Sequence, residues 1–273
     1  SGNVWQEETV EMSFISDSYH LFIRWMRKLI RNPILVFFSL FQPIIFLLLF
    51  TQLFGKFGTL LGGVNYTVFA TAGIVLQNAF SSAFQSGTSV VDDIRSGFLT
   101  KMLATPVNRS AILFGRIMSD IFRVGVQTII ILALAYALGV YPQTGVVGYL
   151  LIIVTVAAFS LAWSGISLAL GLKTKSGETV FGIAGFLTFP LLFMSTALVG
   201  QTVMPTWMQT VSSYNPISFT VNAIRSLIIP PTGCLTCTNS FDWTTILQAY
   251  GVIALIGVFT LGATLYLFRK IVA

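Results

Sequence analysis

Few side chains in this sequence could do chemistry. There is one histidine, His20, and the only two cysteines form a Cys234-x-x-Cys237 pair. No second ligand pair accompanies them, so a zinc site is not expected; a local disulfide is, if that side of the protein is oxidising. Asp120 and Arg123 stand one helical turn apart and are expected to pair with each other rather than to carry protons. No Gly-x-x-x-x-Gly-Lys-Ser/Thr run is present, and no strand and helix alternation could hold a nucleotide. Neither a catalytic residue, a metal nor a cofactor is therefore expected on this chain.

The richest polar stretch runs from Asp92-Asp93-Ile94-Arg95 through Phe98, Lys101, Met102 and Leu103 to Arg109. Its first part can form a short helix with Ile94, Phe98, Met102 and Leu103 on one side and charges around them. Such a helix is a docking element for a partner groove; the alternative is a solvated loop that only carries topology charges.

The elements that hold these residues are set by composition. Of the 273 residues, 55% are hydrophobic and only 9% charged, against roughly a quarter charged in soluble domains. Six apolar runs, 33–54, 64–86, 117–140, 147–172, 180–200 and 246–268, are each about as long as a bilayer is thick. A charge at the centre of a span costs about 2.5–3.5 kcal/mol on insertion scales; the middles of these runs carry none. The polar opening through Asp17 is not a signal peptide, so the first run is expected to remain a span.

The net charge of +6 is spread between the runs rather than gathered in one stripe, which argues against nucleic acid. Arg24, Arg27, Lys28 and Arg31, then Arg95, Lys101, Arg109 and Arg116, then Lys173 and Lys175, then Arg269 and Lys270 all fall on one side. The positive-inside rule places that side, and both termini, in the cytoplasm of a multi-pass protein of the cell membrane.

Before the first span, the basic residues recur at helical spacing among Phe22, Ile23, Trp25, Met26, Leu29 and Ile30, as in an amphipathic interfacial helix. The second span is rich in small and polar residues. It is expected inside the bundle, either for packing alone or with Gln77, Asn78 and Gln85 lining a pathway. Gly182, Gly185 and Pro190 should loosen or kink the fifth. After it, two short helices split at Asn215-Pro216 read as an external hairpin dipping back into the bilayer, or as a small external cap.

Three stretches carry a resemblance to a known family. Gly97-Phe98-Leu99 is followed by Leu103-Ala104-Thr105-Pro106-Val107-Asn108-Arg109 and Ile112-Leu113-Phe114-Gly115-Arg116; Met204-Pro205-x-Trp207 follows later, then Asn215-Pro216 with Arg225. With the span pattern, these resemble the permease subunits of type-2 ATP-binding-cassette exporters of drugs, polysaccharides and lipids over nearly the whole chain. Where that family often has Gly-Thr-Leu-Glu, this chain has Gly97-Phe98-Leu99-Thr100; Asp92 and Asp93 are the acidic groups nearest to hand.

The resemblance implies an all-α polytopic protein with a polar tail (1–12), an elbow helix (13–31) and a six-helix transmembrane domain (32–273) containing a coupling loop (92–110) and an external re-entrant hairpin (201–231). It implies two permease copies in membrane lipid on two ATPase subunits, which would bind the ATP and Mg. Asp92, Asp93, Ile94, Arg95, Phe98, Lys101, Met102 and Leu103 are the coupling candidates, and Arg24, Arg27, Lys28 and Arg31 mark the elbow. The uncharged spans favour a lipophilic or amphipathic cargo. An ion-coupled transporter or passive channel working alone, and a membrane enzyme or scaffold, are the alternatives.

Overall fold

Long apolar runs punctuated by proline, glycine and asparagine fold as helices, and every regular element among the described residues is helical. The structure, a computed structural model, describes residues 4–55, 66–98, 101, 109–142, 144–229 and 242–272. In chain order the helices are α1 (Val4–Ile30), α2 (Pro33–Phe54), α3 (Tyr66–Arg95), α4 (Arg109–Ala137), α5 (Gly145–Thr174), α6 (Gly177–Phe193), α7 (Thr206–Tyr214), α8 (Pro216–Ile228) and α9 (Trp243–Val272).

Five of these, α2, α3, α4, α5 and α9, are long and apolar enough to cross a bilayer. The run expected to span 180–200 is shorter: α6 has 17 residues and ends at Phe193, about 26 Å at 1.5 Å per residue. Its end has a specific cause. The Nδ2 of Asn215 donates to the carbonyls of Leu191 at 2.7 Å and Met194 at 3.3 Å, which satisfies acceptors that a continuing helix would otherwise claim.

The lead-in helix also differs from expectation, running as one element from Val4 rather than starting near residue 13. Of the short helix expected from Asp92, the first residues belong to the last turn of α3, which runs unbroken to Arg95, while Phe98 and Lys101 are helical again beyond Gly97. Gly97, at φ +67°, then turns the chain in the left-handed region that glycine enters without a Cβ penalty. The paired helices around Asn215-Pro216 form as expected, with Pro216 in the first turn of α8 and the Asn215 Oδ1 accepting from the Ile217 N–H at 2.9 Å. Ile217, Val221, Ile224 and Leu227 on α8 are buried in the main core.

The most polar span is the central one. In the membrane-length window of α3, 83% of residues are buried, against 11% for α2. Small side chains permit this, since close backbone approach replaces hydrophobic drive between helices in lipid. A Cβ on Gly87 would collide with Ser167 of α5. The Ser167 hydroxyl there donates to the Phe84 carbonyl at 2.8 Å and accepts from the Gly87 N–H at 3.0 Å. Around this seam Phe80, Phe159 and Trp163 form an aromatic centre.

Candidate functional site

Two polar features stand out in so apolar a chain, and both are built on α3. The first lies at its C-terminal end, where α1 and α4 meet it. Asp93 is buried and accepts from the Trp25 Nε1 at 3.2 Å and the Lys28 Nζ at 3.0 Å, with the Arg116 guanidinium 3.7 Å away. Arg116 donates to Asp120 at 3.3 Å, to the Ser89 hydroxyl at 3.0 Å and to the Ser86 carbonyl at 3.1 Å. Asp120 also receives the Ser86 hydroxyl and lies 3.3 Å from Arg123. The expected Asp120 and Arg123 pair thus forms as part of a larger network.

Buried charges persist only when paired and hydrogen-bonded, and here acids and bases alternate from α1 through α3 into α4. Beside them Leu21, Trp25, Ile112 and Leu172 form a second apolar core, with Val90, Ile94 and Phe98 packed against it. The Arg24 guanidinium sits 3.1 Å from the Phe98 ring centroid, and burial pushes it below its ordinary pKa against the opposing pull of Asp93.

The expected docking residues therefore divide. Asp93 faces inward and is consumed by the network, while Ile94 and Phe98 are half-buried against α1. Asp92, Arg95 and Lys101 are exposed. Met102 and Leu103 lie outside the described residues, as do Cys234 and Cys237. On α1, Arg27 and Lys28 are exposed and Arg24 is half-buried, and Arg31, just beyond its end, is exposed. Among the described residues no cluster of histidine, cysteine and acids could hold a metal.

The second feature is a cavity of about 350 Å³ between α2, α3 and α6. Gln77, Ser81, Gln85 and Thr88, spaced to share one face of α3, line one side. Phe46 and Phe50 of α2, Phe84 of α3, and Phe181, Phe189 and Phe193 of α6 supply aromatic walls, and Gln42 adds a third amide. Among the described residues no charged one lines it. Of the three polar residues singled out on α3, Gln77 and Gln85 line this cavity, whereas Asn78 is buried toward α4, with its Nδ2 3.4 Å from the Gln127 Oε1. Gln127 also accepts from Ser82 at 2.8 Å and donates to Ser39 at 2.9 Å, joining α2, α3 and α4.

Sequence reasoning missed Arg116, Gln127 and Gln42. Arg116 read as a topology charge because Ser86, Ser89 and Asp93 reach it from α3, although Asp120, four residues on, stands at helical spacing. The phenylalanines carried a visible signal, since Phe46 with Phe50 and Phe189 with Phe193 are each one turn apart.

Comparison with known proteins agrees with this architecture. Residues 18–229 match the family model described as ABC-2 type transporter. The chain is 33% identical over 200 residues to a daunorubicin resistance ABC transporter permease protein of Streptomyces coeruleorubidus, covering 72% of this chain and 69% of that one. It is 31% identical to a protein of Cyanophora paradoxa described as a transport permease, over 78% and 74% of the two chains. It is 27% identical to one of Mycobacterium tuberculosis described as a doxorubicin resistance ABC transporter permease, over 75% and 72%. A helical membrane protein with five bilayer-length helices, matched by that model over 18–229, this chain belongs to the ABC-2 type transporter family.

Proposed function

We propose that this chain is the membrane-spanning subunit of an ATP-driven exporter and moves an amphipathic or lipophilic substrate out of the cytoplasm. The observation that carries the reading is the uncharged aromatic cavity along the polar stripe Gln77, Ser81, Gln85 and Thr88. Flat apolar bodies stack on phenylalanine, while amides offer the few polar contacts that orient a ligand.

ATP and Mg belong to two separate ATPase subunits, and two permease copies pair in the cell membrane with both termini in the cytoplasm. In this reading α6 is the sixth crossing, and the hairpin of α7 and α8 dips back from the outer face. Force enters at the coupling loop 92–110, where exposed Asp92, Arg95 and Lys101 meet the ATPase. The ion pairs from Lys28 to Arg123 then make α1, α3 and α4 move together and reshape the cavity.

The test is co-purification with the ATPase partner and reconstitution in liposomes, followed by a screen of amphiphiles for stimulation of vanadate-sensitive hydrolysis. The names of two relatives make an anthracycline the first compound to try. Uphill transport by the isolated subunit under an ion gradient would contradict the proposal.

A further inference from the structure

Gln85 belongs to both polar features: it lines the aromatic cavity, and its Oε1 accepts from the Arg123 Nη1 at 3.0 Å. The amide of a glutamine can usually face either way, but a guanidinium has only donors. Against Arg123 the oxygen is therefore the acceptor, which leaves the NH₂ as the end free to serve a ligand. Arg123 cannot swing aside, since its Nη2 donates to the Ser82 carbonyl at 2.8 Å and pairs with Asp120 at 3.3 Å. Its side chain is only 10% exposed.

We infer that Arg123 is a positioning residue that fixes Gln85 as a hydrogen-bond donor, so that the cavity selects substrates bearing a carbonyl-type acceptor on an otherwise apolar body. This rests on the reading of the cavity as the substrate path. A donor held in an aromatic cavity and left bare costs free energy, so a ligand without an acceptor is penalised beyond the contact it fails to make. Among the described residues none holds the Gln42 or Gln77 amide in this way, so those amides can turn to suit either kind of ligand group. The aromatic walls favour a flat body: the Phe46 and Phe50 rings stack 5.6 Å apart, and those of Phe189 and Phe193 lie 5.9 Å apart and 9° from parallel.

The experiment uses the permease with its ATPase partner in liposomes and two probes of nearly equal shape, 1-acetylpyrene and 1-ethylpyrene. The half-saturating concentration for stimulated ATP hydrolysis should be roughly five- to tenfold lower for the ketone. In Gln85→Glu, the carboxylate accepts from Arg123 and has nothing to donate, so the ratio of the two half-saturating concentrations should fall to about one. Arg123→Leu should also lose the preference, and Arg123→Gln should recover part of it, because an amide can donate to the Gln85 oxygen. An unchanged ratio in Gln85→Glu overturns the inference. If neither probe stimulates hydrolysis in the wild type, or if Phe189→Ala leaves both half-saturations unmoved, the cavity reading itself fails and the inference with it.

Discussion

The Nζ of Lys28 lies 3.0 Å from the Oδ1 of Asp93, yet the two partners are unequally placed: the lysine side chain is 46% exposed and the aspartate 8%. The pair is therefore asymmetric in energy. Water screens and replaces much of what Lys28 contributes, whereas Asp93 also holds Trp25 and faces Arg116 in the interior.

Asp93→Ala should destabilise the purified permease by about 3 kcal/mol, because it strips a buried network of its central acceptor. Lys28→Ala should cost about 0.5 kcal/mol after allowance for solvent screening. Thermal unfolding in detergent separates the two; equal losses would mean that the network is not organised around Asp93.

Phe98 and Lys101 separate two roles within one loop. Phe98→Ala removes the ring beneath Arg24 and its packing on the second apolar core, and should lower the stability of the isolated subunit by about 1–2 kcal/mol as well as weaken ATPase capture. Lys101→Glu changes an exposed charge and should leave the melting temperature within a degree or so of wild type while reducing capture of the ATPase. A pull-down with the tagged partner, run beside the melting curve, distinguishes them. Normal capture by Lys101→Glu would move the docking surface elsewhere.

Helix spans and the break at Asn215-Pro216 were legible because hydropathy and helix punctuation are local properties. On α3 the helical period was informative too: Gln77 and Gln85 are eight residues apart and share a face, while Asn78 is turned about 100° away and meets Gln127. What local pattern could not reveal was tertiary. Asp93 and Asp92 look alike in the sequence, and only the arrival of Lys28 and Arg116 decides which one is buried. The early end of α6 was equally hidden, since residues 194–200 stay mostly apolar and the capping amide comes from Asn215, more than twenty residues on.

Two glycines should respond oppositely to the same substitution. Gly87→Ala drives a methyl into Ser167 at the seam of α3 and α5 and should cost about 1–3 kcal/mol. Gly182, on α6, has open space where a Cβ would go, so Gly182→Ala should stabilise by about 0.5–1 kcal/mol through backbone entropy and helix propensity. A melting temperature of Gly87→Ala at or above wild type would contradict the close α3 and α5 contact, and a fall in Gly182→Ala would contradict the open space beside Gly182.

Asn215 does two jobs with one side chain, and substitution can separate them. Its Oδ1 caps α8 at the Ile217 N–H, while its Nδ2 closes the carbonyl end of α6. Asn215→Asp retains the acceptor for Ile217 but sets a carboxylate oxygen against the Leu191 and Met194 carbonyls, so only the α6 contact turns from attraction to repulsion. Asn215→Ala loses both, at about 1–3 kcal/mol in total. If the amide at the end of α6 is the stronger constraint, Asp should be at least as destabilising as Ala, although it is the better helix cap. Hydrogen exchange at the C-terminal turn of α6 should rise in both variants, and at the first turn of α8 in the alanine variant alone. Protection retained at α6 in the aspartate variant would show that Pro190 and the following turn, rather than Asn215, stop that helix.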